Sequence, residues 1–239
     1  MKSKYAFNAI IQNPGERIAK TIEMVKKGKK EKYMESSPKW LELARELFSI
    51  SQSGLTYCQN EYDLDRYRRM QEMSAEMIED KTGLPKETAM QVFSMQSGYA
   101  TPKIDVRGAV FRDGKLLLVQ ERADNNWAMP GGWADIGDMP SAMVEREVLE
   151  ESGLNVRAVK VIAVYDANRV EPMEFFHAYK IIFLCELLGG EMRTNHETLA
   201  VNFFNPTNLP PLSTARTDEH MIAETIAHLQ DPTRPAFFD

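Results

Sequence analysis

Apolar residues recur at helical spacing through the first hundred residues of the chain. Three stretches place them three or four positions apart, and residues that start or stop helices bound each stretch. Pro38 precedes the first, which the pattern ends near Gly54; Gly83 ends the second, and Pro85 begins the third. Amphipathic helices this short bury their apolar faces against each other, another domain or another subunit. We therefore predict a small all-helical domain over residues 34–98.

The apolar stripes of the first two helices define the expected core of that domain. Their positions are Trp40, Leu43, Ala44, Leu47 and Phe48 in the first helix, and Leu64, Tyr67, Met70, Met73, Met77 and Ile78 in the second. A further short helix is predicted upstream, after Asn13-Pro14.

After Gly98 the spacing changes from helical to strand-like. Two apolar runs flank the turn signal Asp113-Gly114, which predicts a β-hairpin. Three more strand-like runs and an amphipathic helix with a cap at Thr217-Asp218 follow, at Val156–Tyr165, Phe175–Leu187, Leu199–Phe204 and Asp218–Leu229. The change of pattern predicts a second domain over residues 102–232 and an α+β fold class with an all-helical N-terminal domain.

Composition and charge narrow the class of protein. Hydrophobic residues make up 43% of the chain and charged residues 27%, with a net charge of -6, which is typical of a folded globular protein. Nine Lys and Arg against three Glu make residues 1–33 a basic extension, so the remaining body is strongly acidic. An acidic body disfavours a nucleic-acid coat and either aids solubility or gathers carboxylates for cations.

Two further observations bear on location. No run approaches the roughly 20 apolar residues of a membrane-spanning helix, so no membrane association is expected. Cys58 and Cys185 lie far apart, outside any metal-binding or disulfide pattern. We expect two reduced thiols and a cytoplasmic protein.

Three glutamates carry the strongest chemical signal. Glu147, Glu150 and Glu151 stand at positions i, i+3 and i+4, so a helix brings their side chains to one face. Like charges at this spacing destabilise a helix unless a cation neutralises them. Oxygen ligands favour Mg²⁺ or Mn²⁺, and Mg²⁺ is commonly shared with substrate phosphates. The cluster therefore points to a metal site that acts on a phosphate-bearing substrate.

The surrounding residues resemble the Nudix box, whose usual form is G-x5-E-x7-REU-x-EE-x-G-U, with U aliphatic. Here Gly132 opens the pattern, Arg146-Glu147-Val148 and Glu150-Glu151 form its centre, and Gly153-Leu154 closes it. Asp138 stands where the usual pattern has Glu, and the other specified positions match. The resemblance covers about residues 102–232 and implies an α/β/α sandwich with a mixed sheet.

Nudix hydrolases hold divalent cations on the box helix and hydrolyse the diphosphate of nucleoside diphosphates linked to another group. By position, the resemblance implies Glu147, Glu150 and Glu151 as ligands of Mg²⁺ or Mn²⁺, with Glu150, Glu151 and Arg146 as catalytic residues. It implies that Arg146 pairs with a box carboxylate, and that Gly132 and Gly153 permit the loop turns, with Asp138 in support.

Residues outside the box complete the predicted site. The general base is either a box glutamate or Glu197 in a later loop. Arg107 on the first strand and Arg122 before the box loop are candidates for binding substrate phosphates. Trp127 and Phe176 are expected in the core rather than stacked on a base.

The helical domain together with the segments 131–137 and 212–216 is similar to a bacterial Nudix subfamily. That subfamily contains CDP-choline pyrophosphatase and ADP-ribose pyrophosphatases, and its members form dimers. The resemblance implies a small-molecule nucleoside diphosphate derivative as substrate and a homodimer. Two alternatives remain open, RNA-end processing and a Nudix-like regulator that binds a metabolite without cleaving it. The intact glutamate cluster disfavours the regulator.

Overall fold

The computed structural model describes residues 38–94, 98–167 and 177–238. The helix predicted after Asn13-Pro14, the basic extension 1–33 and Phe176 lie outside the described residues. The chain divides into two compact units, one containing the N-terminal helices and the other the sheet. No helix in the described part of the chain is long and apolar enough to cross a membrane.

The helical unit contains three helices, α1 (Lys39–Tyr57), α2 (Glu61–Thr82) and α3 (Lys86–Ser94). Asn60 caps α2, since its side-chain oxygen accepts hydrogen bonds from the backbone N–H groups of the next turn. Gly83 ends α2 with a φ of 74°, in the left-handed region that favours glycine. The predicted all-helical region is confirmed.

Helix α1 continues one turn past Gly54, where the sequence pattern ends it. A Cβ at Gly54 would lie 2.4 Å from ring atoms of Tyr67. The absence of a side chain therefore lets α2 approach α1, and this packing compensates for the low helix propensity of glycine.

The core of the helical unit differs in part from the predicted stripes. Phe48 and Phe93 stack with ring centroids 4.0 Å apart. Leu41 is buried, whereas the predicted core residues Leu43 and Met73 are exposed. The remaining buried core positions are three alanines and an isoleucine, Ala44, Ala75, Ala89 and Ile78.

The second unit is built on a seven-stranded sheet with the order β3-β2-β1-β5-β4-β7, in which β6 also pairs with β2. Its strands are β1 (Lys103–Arg112), β2 (Lys115–Glu121), β3 (Trp127–Ala128), β4 (Leu154–Asp166), β5 (Ala178–Gly190), β6 (Thr198–Phe204) and β7 (Phe237–Phe238). β2 is antiparallel to β1, β3 and β6, while β7 is parallel to β4, so the sheet is mixed.

Two helices cover opposite faces of this sheet, α4 (Pro140–Ser152) and α5 (Glu219–Gln230). Leu117 packs in the core beneath α4, while Leu116 and Leu118 pack in the core beneath α5. Successive side chains of a strand point to opposite faces, so the continuous apolar run of β2 serves both cores. The α/β/α arrangement and the predicted α+β class are confirmed.

Candidate active site

The loop that precedes α4 is held by main-chain hydrogen bonds to β1. Residues 130–134 lie alongside the strand as an additional short pairing. The bonds join Gly108 N–H to Pro130 O (2.8 Å), Val106 N–H to Gly132 O (2.9 Å) and Ala134 N–H to Ile104 O (2.9 Å). The loop is therefore placed by the backbone of the sheet, independently of its own side chains.

Two adjacent glycines make this pairing possible. Gly131 has a φ of 149°, and a Cβ there would lie 1.9 Å from the carbonyl oxygen of Val106. At Gly132 a Cβ would lie 3.0 Å from Glu147 Oε2. The turn expected at Gly132 is therefore made at Gly131, and Gly132 leaves space for the glutamate.

Glu151 is the last of the three box glutamates along α4. It is buried, and its Oε2 accepts a hydrogen bond of 3.0 Å from the backbone N–H of Gly131. Burial raises the pKa of Glu151 to about 8, although Arg107 and the Gly131 N–H oppose the shift. Burial therefore disfavours the charged form of the Glu151 carboxylate by more than its neighbours stabilise it.

Arg146 bridges the other two box glutamates. Its Nη1 lies 2.9 Å from Glu147 Oε1 and 3.3 Å from Glu150 Oε2. Glu147 is half-buried, and burial raises its pKa; Arg146 opposes this shift, whereas the charges of Glu150 and Glu197 add to it. The predicted pairing of Arg146 with a box carboxylate is present in the structure.

Asp138 and Gly153 support the two ends of the box. Asp138 Oδ2 accepts a hydrogen bond of 3.0 Å from Arg146 Nη2 and another from the backbone N–H of Asp135. Asp138 therefore holds the far side of the guanidinium despite its shorter side chain. Gly153 caps α4 with a φ of 76°, and a Cβ there would meet the carbonyl oxygen of Glu191 at 2.3 Å.

The box glutamates do not converge on one point. Among residues 38–94, 98–167 and 177–238, no three His, Cys, Asp or Glu side chains are close enough together to hold a metal ion. The reason is visible in the contacts: Glu151 turns inward to Gly131, while Arg146 draws Glu147 and Glu150 toward itself.

Arg107 is buried beneath the box loop. Its Nε and Nη2 donate to the two carboxylate oxygens of Asp105, at 3.0 and 2.8 Å, and its Nη1 donates to Met129 O at 3.2 Å. The carboxylates of Asp105, Glu151 and Glu121 raise the pKa of this arginine against the effect of burial. Substrate binding by Arg107 remains a prediction, and the contacts observed are with the protein.

The structure brings Arg122 and Glu197 together beside the box. Arg122 N–H donates to Glu197 O, and Arg122 Nε donates to His196 O, both at 2.9 Å. The Glu197 side chain is 58% exposed, and its charge contributes to the raised pKa of Glu147. Both residues are therefore accessible and close to the box, although their roles remain predictions.

Comparison with known proteins follows the division seen in the structure. Residues 102–225 match the NUDIX domain family. The chain belongs to the Nudix hydrolases. Residues 38–93 match a second family, described as a UDP-X-like, N-terminal oligomerisation domain.

Two of the relatives compared below resemble the chain over more than four-fifths of its length, and a third over a shorter part. A provisionally named ADP-ribose pyrophosphatase of Bacillus subtilis is 37% identical over 202 residues, which cover 84% of this chain and 97% of the relative. The crystal structure of a UDP-X diphosphatase is 29% identical, covers 84% of this chain and 98% of that one, and has a TM-score of 0.55. The crystal structure of an ADP-ribose pyrophosphatase from Streptococcus suis is 39% identical. It covers 58% of this chain and 100% of that one, with a TM-score of 0.54.

The Nudix domain also contains a charged cluster that the sequence pattern does not indicate. Glu121 ends β2 and is buried, with its Oε1 at 3.4 Å from Arg216 Nε and 4.0 Å from Arg107 Nη1. Arg216 lies in the segment before α5, together with Ser213, which donates a hydrogen bond of 2.7 Å to Asp124. The only sequence signal for this cluster is the resemblance of residues 212–216 to the subfamily.

Proposed function

We propose that this Nudix hydrolase is a divalent-metal-dependent pyrophosphatase that cleaves the diphosphate of a nucleoside diphosphate linked to a group X. The observation that carries the proposal is the set of three box glutamates on one face of α4, of which Glu151 is buried against the box loop and accepts a hydrogen bond from the Gly131 N–H. Relatives of this chain over more than four-fifths of its length are an ADP-ribose pyrophosphatase and a UDP-X diphosphatase by name. ADP-ribose, CDP-choline and UDP-linked compounds are therefore the first candidate substrates.

The box residues fit a hard divalent cation by their donor chemistry. Glu147, Glu150 and Glu151 offer only carboxylate oxygens, which are the donors that Mg²⁺ and Mn²⁺ prefer. Arg146 would release Glu147 and Glu150 while it stays bound to Asp138. A bound cation would neutralise phosphoryl oxygens and lower the pKa of water.

The remaining residues of the site position the substrate and move a proton. Arg122 is exposed beside the box and would donate hydrogen bonds to phosphate oxygens. The carboxylate of Glu197, or of a box glutamate, would accept a proton from the attacking water. The water oxygen forms a bond to one phosphorus and the bridging P–O bond breaks, which yields a nucleoside monophosphate and phosphorylated X.

We propose in addition that the protein is a homodimer through its helical unit. On α1, the side chains of Leu43, Ile50 and Tyr57 are exposed and seven positions apart, so they form one apolar stripe. Such a stripe suits pairing with the same helix of a second copy. The family description of residues 38–93 as an oligomerisation domain supports this assignment.

A substrate panel tests the proposed activity. The protein is incubated with ADP-ribose, CDP-choline, a UDP-sugar, NADH or triphosphorylated RNA, with Mg²⁺ or Mn²⁺ or with EDTA, and the products are separated by chromatography. We expect metal-dependent release of a nucleoside monophosphate from at least one diphosphate. We expect Glu150→Gln and Glu151→Gln to reduce kcat by about a hundredfold or more, since a charged ligand is lost.

Glu145→Gln is the matched control for these variants. Glu145 lies on the same helix but accepts a hydrogen bond of 2.8 Å from Ala158 N–H, a bond that a glutamine oxygen preserves. Turnover in EDTA, or full turnover by Glu151→Gln, would contradict the proposal. Cleavage of RNA alone would favour RNA-end processing instead.

A further inference from the structure

The segment from Pro211 to Thr217 is fixed from several sides at the edge of the proposed site. Lys180 is buried, and its Nζ donates to Ala215 O at 2.8 Å and to Arg216 O at 2.9 Å. The other bonds run from Trp127 N–H to Pro211 O (2.9 Å), Ser213 N–H to Trp127 O (2.8 Å) and Met129 N–H to Thr217 Oγ1 (2.9 Å). The backbone that carries Arg216 is therefore held rigidly.

Neighbouring side chains contact one edge of the Arg216 guanidinium, and its other edge is not contacted in this way. Its Nη1 donates a hydrogen bond of 3.0 Å to Ser213 Oγ, which in turn donates to Asp124. Its Nε lies 3.4 Å from Glu121 Oε1. Within the described part of the chain Arg216 Nη2 makes no hydrogen bond, and 32% of the side chain is exposed.

Glu121 links the Arg216 guanidinium electrostatically to Glu151 on α4. It lies between Arg216 and Arg107, and its charge is one of those that raise the pKa of Glu151. Glu121 is followed directly by Arg122, whose backbone pairs with Glu197. Arg216 thus stands at the same end of β2 as the exposed residues predicted to meet the substrate.

A purely structural counter-ion would direct its hydrogen bonds at the buried carboxylate. Arg216 instead lies 3.4 Å from Glu121 Oε1 and 3.6 Å from Asp124 Oδ2 without a hydrogen bond to either carboxylate, and its Nη2 has no hydrogen-bond partner among the described residues. A rigidly held guanidinium with free donors is suited to planar recognition of a phosphate, because little conformational entropy remains to be lost on binding.

We propose that Arg216 is a substrate-binding residue that donates hydrogen bonds to a phosphate oxygen of the nucleoside diphosphate derivative, with Ser213 and Asp124 orienting its guanidinium. This inference rests on the proposed function, in that it assigns the anion to the same site. It adds the segment 211–217 to the residues that define that site.

The test compares Arg216→Gln and Arg216→Lys with the control Arg157→Gln. Arg157 is exposed and pairs with Glu186 on a neighbouring strand. Two quantities are measured, kcat and KM with the best substrate, and the Kd of α,β-methylene-ADP, whose P–C–P link resists hydrolysis, by calorimetry with Mg²⁺. For Arg216→Gln we expect KM and Kd to rise about tenfold or more with a smaller change in kcat, and partial recovery in Arg216→Lys.

Several outcomes would overturn the inference. One is a KM and Kd for Arg216→Gln within about twofold of those for Arg157→Gln, even if its Tm is lower. If Arg216→Gln does not fold, Arg216→Lys and Ser213→Ala decide, since both keep the positive charge but lose its orientation; an unchanged Kd in both rejects the inference. A wild-type protein without turnover, whose affinity for α,β-methylene-ADP nevertheless depends on Arg216, would reject the proposed function and keep the inference.

Discussion

Burial shifts the pKa of side chains outside the box as well as in it. His228 is buried on α5, with its Nε2 at 3.3 Å from Glu224 Oε1. Burial lowers the pKa of His228, Lys160 lowers it further, and Glu224 opposes the shift. Glu224 is itself held by Arg234, whose Nε lies 2.6 Å away. The folded protein therefore favours the neutral imidazole.

This preference makes stability depend on pH. The unfolded chain binds a proton at His228 near pH 6.5, whereas the folded chain binds it only at lower pH, so stability falls as the pH decreases through this interval. We expect the wild-type Tm to fall more than that of His228→Gln between about pH 7 and pH 5, by about 2 °C or more. Thermal unfolding followed by circular dichroism measures both slopes.

His196→Gln serves as the control, because His196 is 87% exposed in its loop. Its slope should equal that of the wild type. Equal slopes for the wild type and His228→Gln would show that His228 is not the source of the pH dependence.

At the same scale, the sequence indicates some site residues and not others. The box glutamates are visible because helical spacing brings them to one face of α4, and the structure shows that face against the box loop. Asp105, Glu121 and Arg216 come from separate strands and loops. The pairing of β1 with β2, and of the segment before α5 with β3, brings them together, and no local pattern contains that information.

At the scale of elements, the pairing of residues 130–134 with β1 holds the loop that leads to α4 against the sheet. Gly131 is the tightest point of this contact, because a Cβ would lie 1.9 Å from Val106 O, a backbone atom. We expect Gly131→Ala to destabilise the fold by more than about 2 kcal/mol, since the loop must separate from the strand and the bond to Glu151 is lost. Urea unfolding measures the change, and hydrolysis should be lost with it.

Gly114→Ala separates this steric effect from the cost of backbone conformation. Gly114 has a φ of 73°, and nothing lies within 4 Å of a Cβ there. We expect a loss of about 1 kcal/mol with activity retained. Equal losses in the two variants would contradict a role for the close contact at Gly131.

The longer helices and strands could be predicted from the sequence, whereas the two-residue strands could not. The hairpin, the box helix and α5 carry periodic patterns with turn or cap residues at their ends. β3 and β7 contain two residues each, so they have no periodicity and exist only through pairing with β2 and β4. The predicted core stripe of α1 was wrong at Leu43, which is exposed. The exposed apolar residues of α1 follow the same helical spacing as the buried ones, so spacing alone does not separate them.

At the scale of the whole molecule, that exposed stripe predicts the oligomeric state. Leu43 and Ile50 lie on one face of α1, so a charge at either position would be buried unpaired between two copies. We expect Leu43→Glu and Ile50→Glu to convert a dimer to a monomer. Size-exclusion chromatography with light scattering measures the mass in solution.

Leu188→Glu is the matched control for these variants. Leu188 is 58% exposed on β5 in the Nudix domain and should leave the mass unchanged. A wild-type protein that is monomeric at all concentrations, or a dimer that survives Leu43→Glu, would reject the assigned interface.

The backbone pairing of the box loop also has an evolutionary consequence. Main-chain hydrogen bonds hold residues 130–134 in place. The exposed side chains there and in the turn that follows therefore contribute little to the stability of the fold. Trp133 and Ile136 are exposed on this surface. Mutation can therefore change the exposed side chains of this loop while the box helix α4 stays in place. A scaffold of this kind allows substrate preference to diverge between relatives without loss of the hydrolytic chemistry.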